Sequence, residues 1–113
     1  MMRKLAGVAL VLGALAFVTN GVSWAAKTHA QEAVDHTKEA IEHGKAGHAD
    51  VLTKHAETAL MHAKAAQKEK ANMHLDEGIK HLEGAVAAGK KGDAPGGTKH
   101  AEEALMHLQE AAK

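Results

Sequence analysis

The chain has 113 residues, with 14 Lys and Arg against 14 Asp and Glu, ten His, one Pro, no Cys and two aromatic side chains. That length holds one domain, and a zero formal charge speaks against the concentrated basic face by which proteins grip nucleic acid. Without cysteine there is no disulfide framework, zinc–thiolate or iron–sulfur centre, c-type haem attachment or thiol nucleophile.

Residues 1–25 read as an export signal. Arg3 and Lys4 give it a positive start, Leu5 to Val18 form a 14-residue run of apolar residues and glycine, and Thr19-Asn20-Gly21 ends that run. The run falls short of the roughly 20 residues a helix needs to span a bilayer core. Small residues at Ser23 and Ala25 suit a signal peptidase, which places the cut after Ala25. A periplasmic or secreted location follows, with no stable membrane association after cleavage. Phe17 and Trp24 lie in this segment, so residues 26–113 keep all ten His, 12 Lys and 14 carboxylates but no aromatic side chain of Phe, Trp or Tyr type.

The remainder is rich in Ala, Lys, Glu and Leu and poor in β-branched residues, which predicts helices throughout. The first runs from about His29 to His43, opened by a capping box of Thr28 and Gln31 and stopped by Gly44. The second spans roughly Ala49 to Lys68. The third runs from Met73, capped by Asn72, to Ala88 before Gly89. The fourth reaches the C-terminus and starts either at the Asp93-Pro95 turn or at Thr98, because Gly96 and Gly97 each cost a helix about 1 kcal/mol against Ala.

An offset of 45 residues lays TKHAETALMH (Thr53 to His62) on TKHAEEALMH (Thr98 to His107), with nine of ten positions identical. The same offset aligns His29 with His74, Glu32 with Glu77, His36 with His81, Ala40 with Ala85 and Gly44 with Gly89. A helical hairpin is therefore written twice, over about 28–68 and 73–113. The predicted fold is all-α, an antiparallel up-down-up-down four-helix bundle of two duplicated hairpins.

With each His as origin, apolar residues fall one, four and five places later: Ala30, Ala33, Val34, Ala40 and Ile41; Ala49, Leu52, Ala56, Ala59, Leu60 and Ala63; Leu75, Ile79, Leu82, Ala85 and Val86; Ala101, Ala104, Leu105 and Leu108. These are heptad positions a, d and e, so every histidine takes g, about 90° from the centre of the apolar stripe. The core is alanine-rich and thin, which predicts marginal stability without a ligand.

His29, His36 and His43 are spaced by seven, as are His48, His55 and His62, and the two sets mirror each other across Gly44-Lys45-Ala46-Gly47. The pairs His43 with His48, His36 with His55 and His29 with His62 are each equidistant from the turn, so they should meet as rungs. The second hairpin repeats the rungs His81 with His100 and His74 with His107, while Ala88 and Asp93 replace the rung nearest its turn. Neutral imidazole is the commonest ligand of borderline divalent metals, and facing imidazoles can share an ion. Successive His of one helix rise about 10.5 Å apart and should serve different ions. Beside them Glu32, Glu39, Glu77, Glu103 and Glu110 each follow a His by three, close enough to complete a metal's shell or to orient a ring. Met61, Met73 and Met106 each precede a His and would suit Cu(I), although their positions also fit solvent contact or packing.

With the repeated segments His55 to His62 and His100 to His107, the His-Gly-Lys-x-Gly-His turn at His43 to His48 and the leader, the chain resembles the small metal-binding protein family. The resemblance implies an exported, His-rich four-helix bundle that binds several copper and other divalent ions through His29, His36, His43, His48, His55, His62, His74, His81, His100 and His107. It also leaves the second hairpin's turn without a site.

The expected function is that of a non-catalytic metal buffer, scavenger or chaperone, holding Cu(II) most tightly and Ni(II), Zn(II) or Co(II) less so, best at the three rungs of the first hairpin. The chain is expected to be a monomer, with metal-bridged oligomers possible in principle. A ferritin-like di-iron oxidase is the enzymatic competitor, but its Glu-x-x-His signature is missing, as is the His-Glu-x-x-His zinc motif. A third reading is a pH-responsive interaction module whose clustered imidazoles repel on protonation.

Overall fold

The computed structural model describes residues 26–113, and the export signal expected at 1–25 lies outside them. Four helices fill this stretch: α1 (His29–Lys45), α2 (Ala49–Glu69), α3 (Met73–Lys90) and α4 (Ala94–Ala111). No strand occurs among the described residues, and no helix among them is long and apolar enough to cross a membrane. Helix α1 packs against α2 and α4, and α3 packs against the same two, so each helix has two close neighbours.

Local chemistry sets the ends. The Thr28 hydroxyl accepts from the Gln31 N–H at 3.1 Å while Gln31 Oε1 accepts from the Thr28 N–H at 3.0 Å, completing the expected capping box. Asn72 opens α3 by accepting from the His74 N–H at 2.7 Å. At the other end of α1 the His48 N–H donates to the His43 carbonyl and the Gly47 N–H to that of Gly44, with Gly47 at φ 84°. The same pair of bonds joins Asp93 to Ala88 and Gly92 to Gly89, with Gly92 at φ 81°. Both hairpins thus turn through a Schellman motif, and a left-handed residue is what each needs after its helix.

One expectation is corrected here, and one open choice is decided. Gly44 and Gly89 do not stop their helices; both lie buried inside, and the stop falls three residues later. Helix α4 begins at Ala94, not at Thr98: Asp93 accepts from the Gly96 N–H at 2.9 Å, Pro95 sits in the first turn, and Thr98 turns its hydroxyl back to the Ala94 carbonyl at 2.7 Å. The capping bond and the close packing around Gly97 offset the poor helix propensity of Gly96-Gly97.

Positions a and d are buried on all four helices except at Ala30, Ala49 and Ala111 near the helix ends, and the buried seats include some that carry no large apolar group: Thr37, Gly44, Gly78, Gly89 and Gly97. The residues at e are less enclosed, and Leu60, Ile79, Val86 and Leu105 stay half-buried at the edge of the core. The glycines receive leucines. A Cβ on Gly44, Gly89 or Gly97 would stand 2.5, 3.1 or 2.9 Å from a methyl of Leu52, and one on Gly78 would stand 2.8 Å from a methyl of Leu108. Leu52 is fully buried, and its side chain reaches from α2 to α1, α3 and α4 together. Buried threonine hydroxyls are satisfied within their own helices, Thr37 donating to the Ala33 carbonyl at 2.7 Å.

Truncating so connected a side chain in an alanine-rich core leaves a void that glycines cannot fill. Leu52→Ala is expected to lower stability by about 2–5 kcal/mol, read as a fall in the urea midpoint monitored by circular dichroism.

Candidate metal centre

The imidazoles project from position g of paired helices and meet. Ring centroids lie 5.2 Å apart for His29 and His62, 5.9 Å for His36 and His55, and 6.1 Å for His43 and His48. The second hairpin brings His74 to 5.6 Å from His107 and His81 to 6.1 Å from His100. Diagonal neighbours come equally near: His36 stacks on His62 at 5.7 Å, His43 on His55 at 5.4 Å and His81 on His107 at 5.7 Å, with planes within 7° of parallel. The rings form two unbroken zigzags, not separate rungs.

The zigzag follows from the lean of helical side chains toward their own N-terminus. On α1 that lean carries His36 away from the turn, toward His62. On α2 it carries His55 toward the turn and His43. Two columns with a repeat of about 10.5 Å interleave in this way, so rings on successive turns are linked through the ring opposite.

Carboxylates then gather around particular rings. Glu39 Oε1 lies 3.4 Å from His36 Nδ1 and 3.3 Å from His55 Nδ1. Glu32 Oε1 lies 4.0 Å from His36 Nε2 and forms a cluster with His36 and His62. In the second hairpin Glu103 Oε1 lies 3.4 Å from His81 Nδ1 and 3.8 Å from His100 Nδ1, and Glu77 groups with His81 and His107. Each hairpin thus holds two clusters of three donors within 4.8 Å of one another, and every cluster draws on both of its helices.

The other predicted residues are placed differently. His29 and His62 face each other Nδ1 to Nδ1 at 3.0 Å, and His74 and His107 at 3.3 Å, one ring donating and the other accepting. His43 and His48 meet without a carboxylate in their group, and His48 is exposed at the start of α2. Glu110 takes a hydrogen bond from the Lys113 ammonium at 2.8 Å, which holds its carboxyl below the ordinary range, and it joins no His and Glu cluster. An exposed pair of Lys27 and Asp35 beside α1 likewise raises the lysine and lowers the aspartate through their mutual hydrogen bond. Met61, Met73 and Met106 are solvent-exposed. One residue near the column was not foreseen: Glu69 Oε2 lies 3.8 Å from His29 Nε2. It stands seven places beyond His62, so continuing the heptad count would have found it.

Besides the turn, where Ala88 and Asp93 stand in place of His43 and His48, the hairpins differ in the source of one carboxylate. Glu39 belongs to α1, but its counterpart in α3 is Gly84, and the acid comes instead from Glu103 on α4, whose counterpart in α2 is Thr58. Gly84 is covered by the His100 ring, whose Nδ1 lies 2.8 Å from where a Cβ would be.

The donor set fits a borderline divalent ion: imidazole nitrogen and carboxylate oxygen, without thiolate. The Nδ1 atoms of His36 and His100 are buried and lack any hydrogen-bond partner, a state that costs about 1–3 kcal/mol per group. A cation between the nitrogen and its facing carboxylate would satisfy both. His36, His55 and His81 keep 27–28% of their side-chain surface, so ions reach them from solvent without opening the bundle.

A sequence profile of the small metal-binding protein family matches residues 2–111, and the chain belongs to that family. No curated protein matches it.

Gly84→Ala separates folding from binding. The methyl group raises helix propensity by up to about 1 kcal/mol yet displaces the His100 ring. The expected result is an unchanged or higher urea midpoint together with roughly tenfold weaker ion binding at the His81, His100 and Glu103 cluster, as read by calorimetric titration.

Proposed function

We propose that this member of the small metal-binding protein family is an exported, non-catalytic binder of several divalent transition ions, acting as a buffer, scavenger or chaperone in the periplasm. Its helices run up-down-up-down after removal of residues 1–25. Cu(II) is held most tightly and Ni(II), Zn(II) and Co(II) more weakly, in the usual order for nitrogen and oxygen donors. The ion is cargo: it binds, is held and is given up unchanged.

The observation that carries this reading is the set of four His and Glu clusters, each assembled from two helices of one hairpin. A surface ion pair of Glu with a neighbouring His is commonplace, but Glu39 and Glu103 each stand between two imidazoles from different helices. The orphaned Nδ1 atoms of His36 and His100 point the same way, since a coordinate bond is what a buried unpaired imidazole nitrogen lacks. Membership of a metal-binding family supports the reading independently.

Calorimetric titration with Cu(II) tests it. More than one ion per chain is expected, with affinity falling as the solution is made more acidic, because only unprotonated imidazole binds. Replacing both His36 and His55 with Ala should remove binding from the first hairpin and spare the second. At 100 times its dissociation constant, a bound ion adds about 2.7 kcal/mol to stability, so the melting temperature should rise on loading. Binding of one ion or none, or affinity untouched by the double substitution, would overturn the proposal.

The stacked rings also support a second reading, in which protonation sets positive charges side by side along each zigzag and loosens the helix pairs. Circular dichroism from pH 8 to pH 5 in the presence of a chelator separates the two. A large loss of helix without any response to metal would favour a pH-driven interaction module.

A further inference from the structure

His55, His62, His100 and His107 each belong to one cluster, but His36 and His81 each belong to two. The two nitrogens of His36 face different carboxylates. Its Nε2 lies 4.0 Å from Glu32 Oε1 in the cluster with His62, while its Nδ1 lies 3.4 Å from Glu39 Oε1 in the cluster with His55. That Nδ1 is buried and has no hydrogen-bond partner. His81 occupies the equivalent place 45 residues on, its Nδ1 3.4 Å from Glu103 Oε1 and its ring grouped also with Glu77 and His107.

We infer that, granted the metal-binding reading above, His36 and His81 each bridge two neighbouring ions through their two ring nitrogens, so that each hairpin holds one coupled ion pair instead of two independent sites.

The chemistry is that of a shared imidazole. A neutral ring has one nitrogen lone pair and one N–H. The first ion takes the lone pair. The second takes the other nitrogen as its N–H proton passes to solvent, so completing a pair releases one proton from the bridging ring and leaves an imidazolate between the ions. The surrounding charges allow the close approach of two dications. In the first hairpin Glu32, Glu39 and the imidazolate supply three negative charges against four positive. Glu77, Glu103 and the imidazolate do the same in the second. The zigzag makes this reachable, because the rings that complete the two clusters, His55 and His62, both lie within 6 Å of His36, measured between ring centroids.

Two Cu(II) ions joined through an imidazolate couple their electron spins, which gives a readout that independent sites lack. The full chain is freed of metal, loaded with Cu(II) to saturation, dialysed, and examined by electron paramagnetic resonance beside a measurement of total copper. The expected result is an integrated spin count well below the copper content. In a His36→Ala, His81→Ala double variant, whose helix content is checked by circular dichroism, the count should return to one spin per remaining copper. The variant should also lose more than one ion per substituted ring. Retained copper with one spin per ion in the unsubstituted chain would overturn the bridge and leave the metal-binding reading intact. No retained copper would overturn both. Should the double variant lose its helices, the single substitutions His36→Ala and His81→Ala serve instead, each expected to restore part of the missing spins.

Discussion

Everything in this bundle depends on how closely its helices approach. Alanine and glycine fill the a and d positions so extensively that helix pairs can sit near each other, and that nearness lets side chains at the rim reach across. A leucine-filled seam would bury more apolar area and would also hold the two imidazole columns farther apart. Core stability is thereby exchanged for ligand convergence. Two of the few large groups, Leu52 and Leu108, are placed where glycine faces them, so density is kept without widening the seam.

Helix number, the caps at Thr28 and Asn72, and the seating of histidine at the rim were legible because they rest on local chemistry and a strict period of seven. Less legible were features that need a neighbour to define them. Gly44 and Gly89 read as helix stops in isolation; in three dimensions they are hollows for Leu52, Thr98 and Thr53, while the stop belongs to Gly47 and Gly92. Thr37 is polar by type yet takes a buried seat, because its hydroxyl finds the Ala33 carbonyl. The rungs could be counted from the turn, but the diagonal stacks could not, since side-chain lean has no signature in spacing. Glu110 carries the same spacing as Glu103 and is claimed by Lys113 instead.

The two hairpins share one histidine phase but differ in where their acids stand. Where α1 offers Glu39, α3 offers Gly84; where α4 offers Glu103, α2 offers Thr58. One carboxylate per middle cluster is conserved as a chemical fact while its helix of origin changes. The replacement is sterically coherent, because the space vacated at Gly84 is taken by the His100 ring. The halves differ also at the turn, where Ala88 and Asp93 stand in place of His43 and His48.

Leu52 and Gly97 occupy equivalent positions in the two repeats and touch in the same layer of the bundle. Two leucines there would collide, and two glycines would leave a gap. The halves are consequently complementary, like a plug and its socket, and a hairpin of the first kind cannot pair with its own twin in this geometry. An internally doubled chain has in this way acquired a directional lock: at this layer a first half fits beside a second half and not beside a copy of itself.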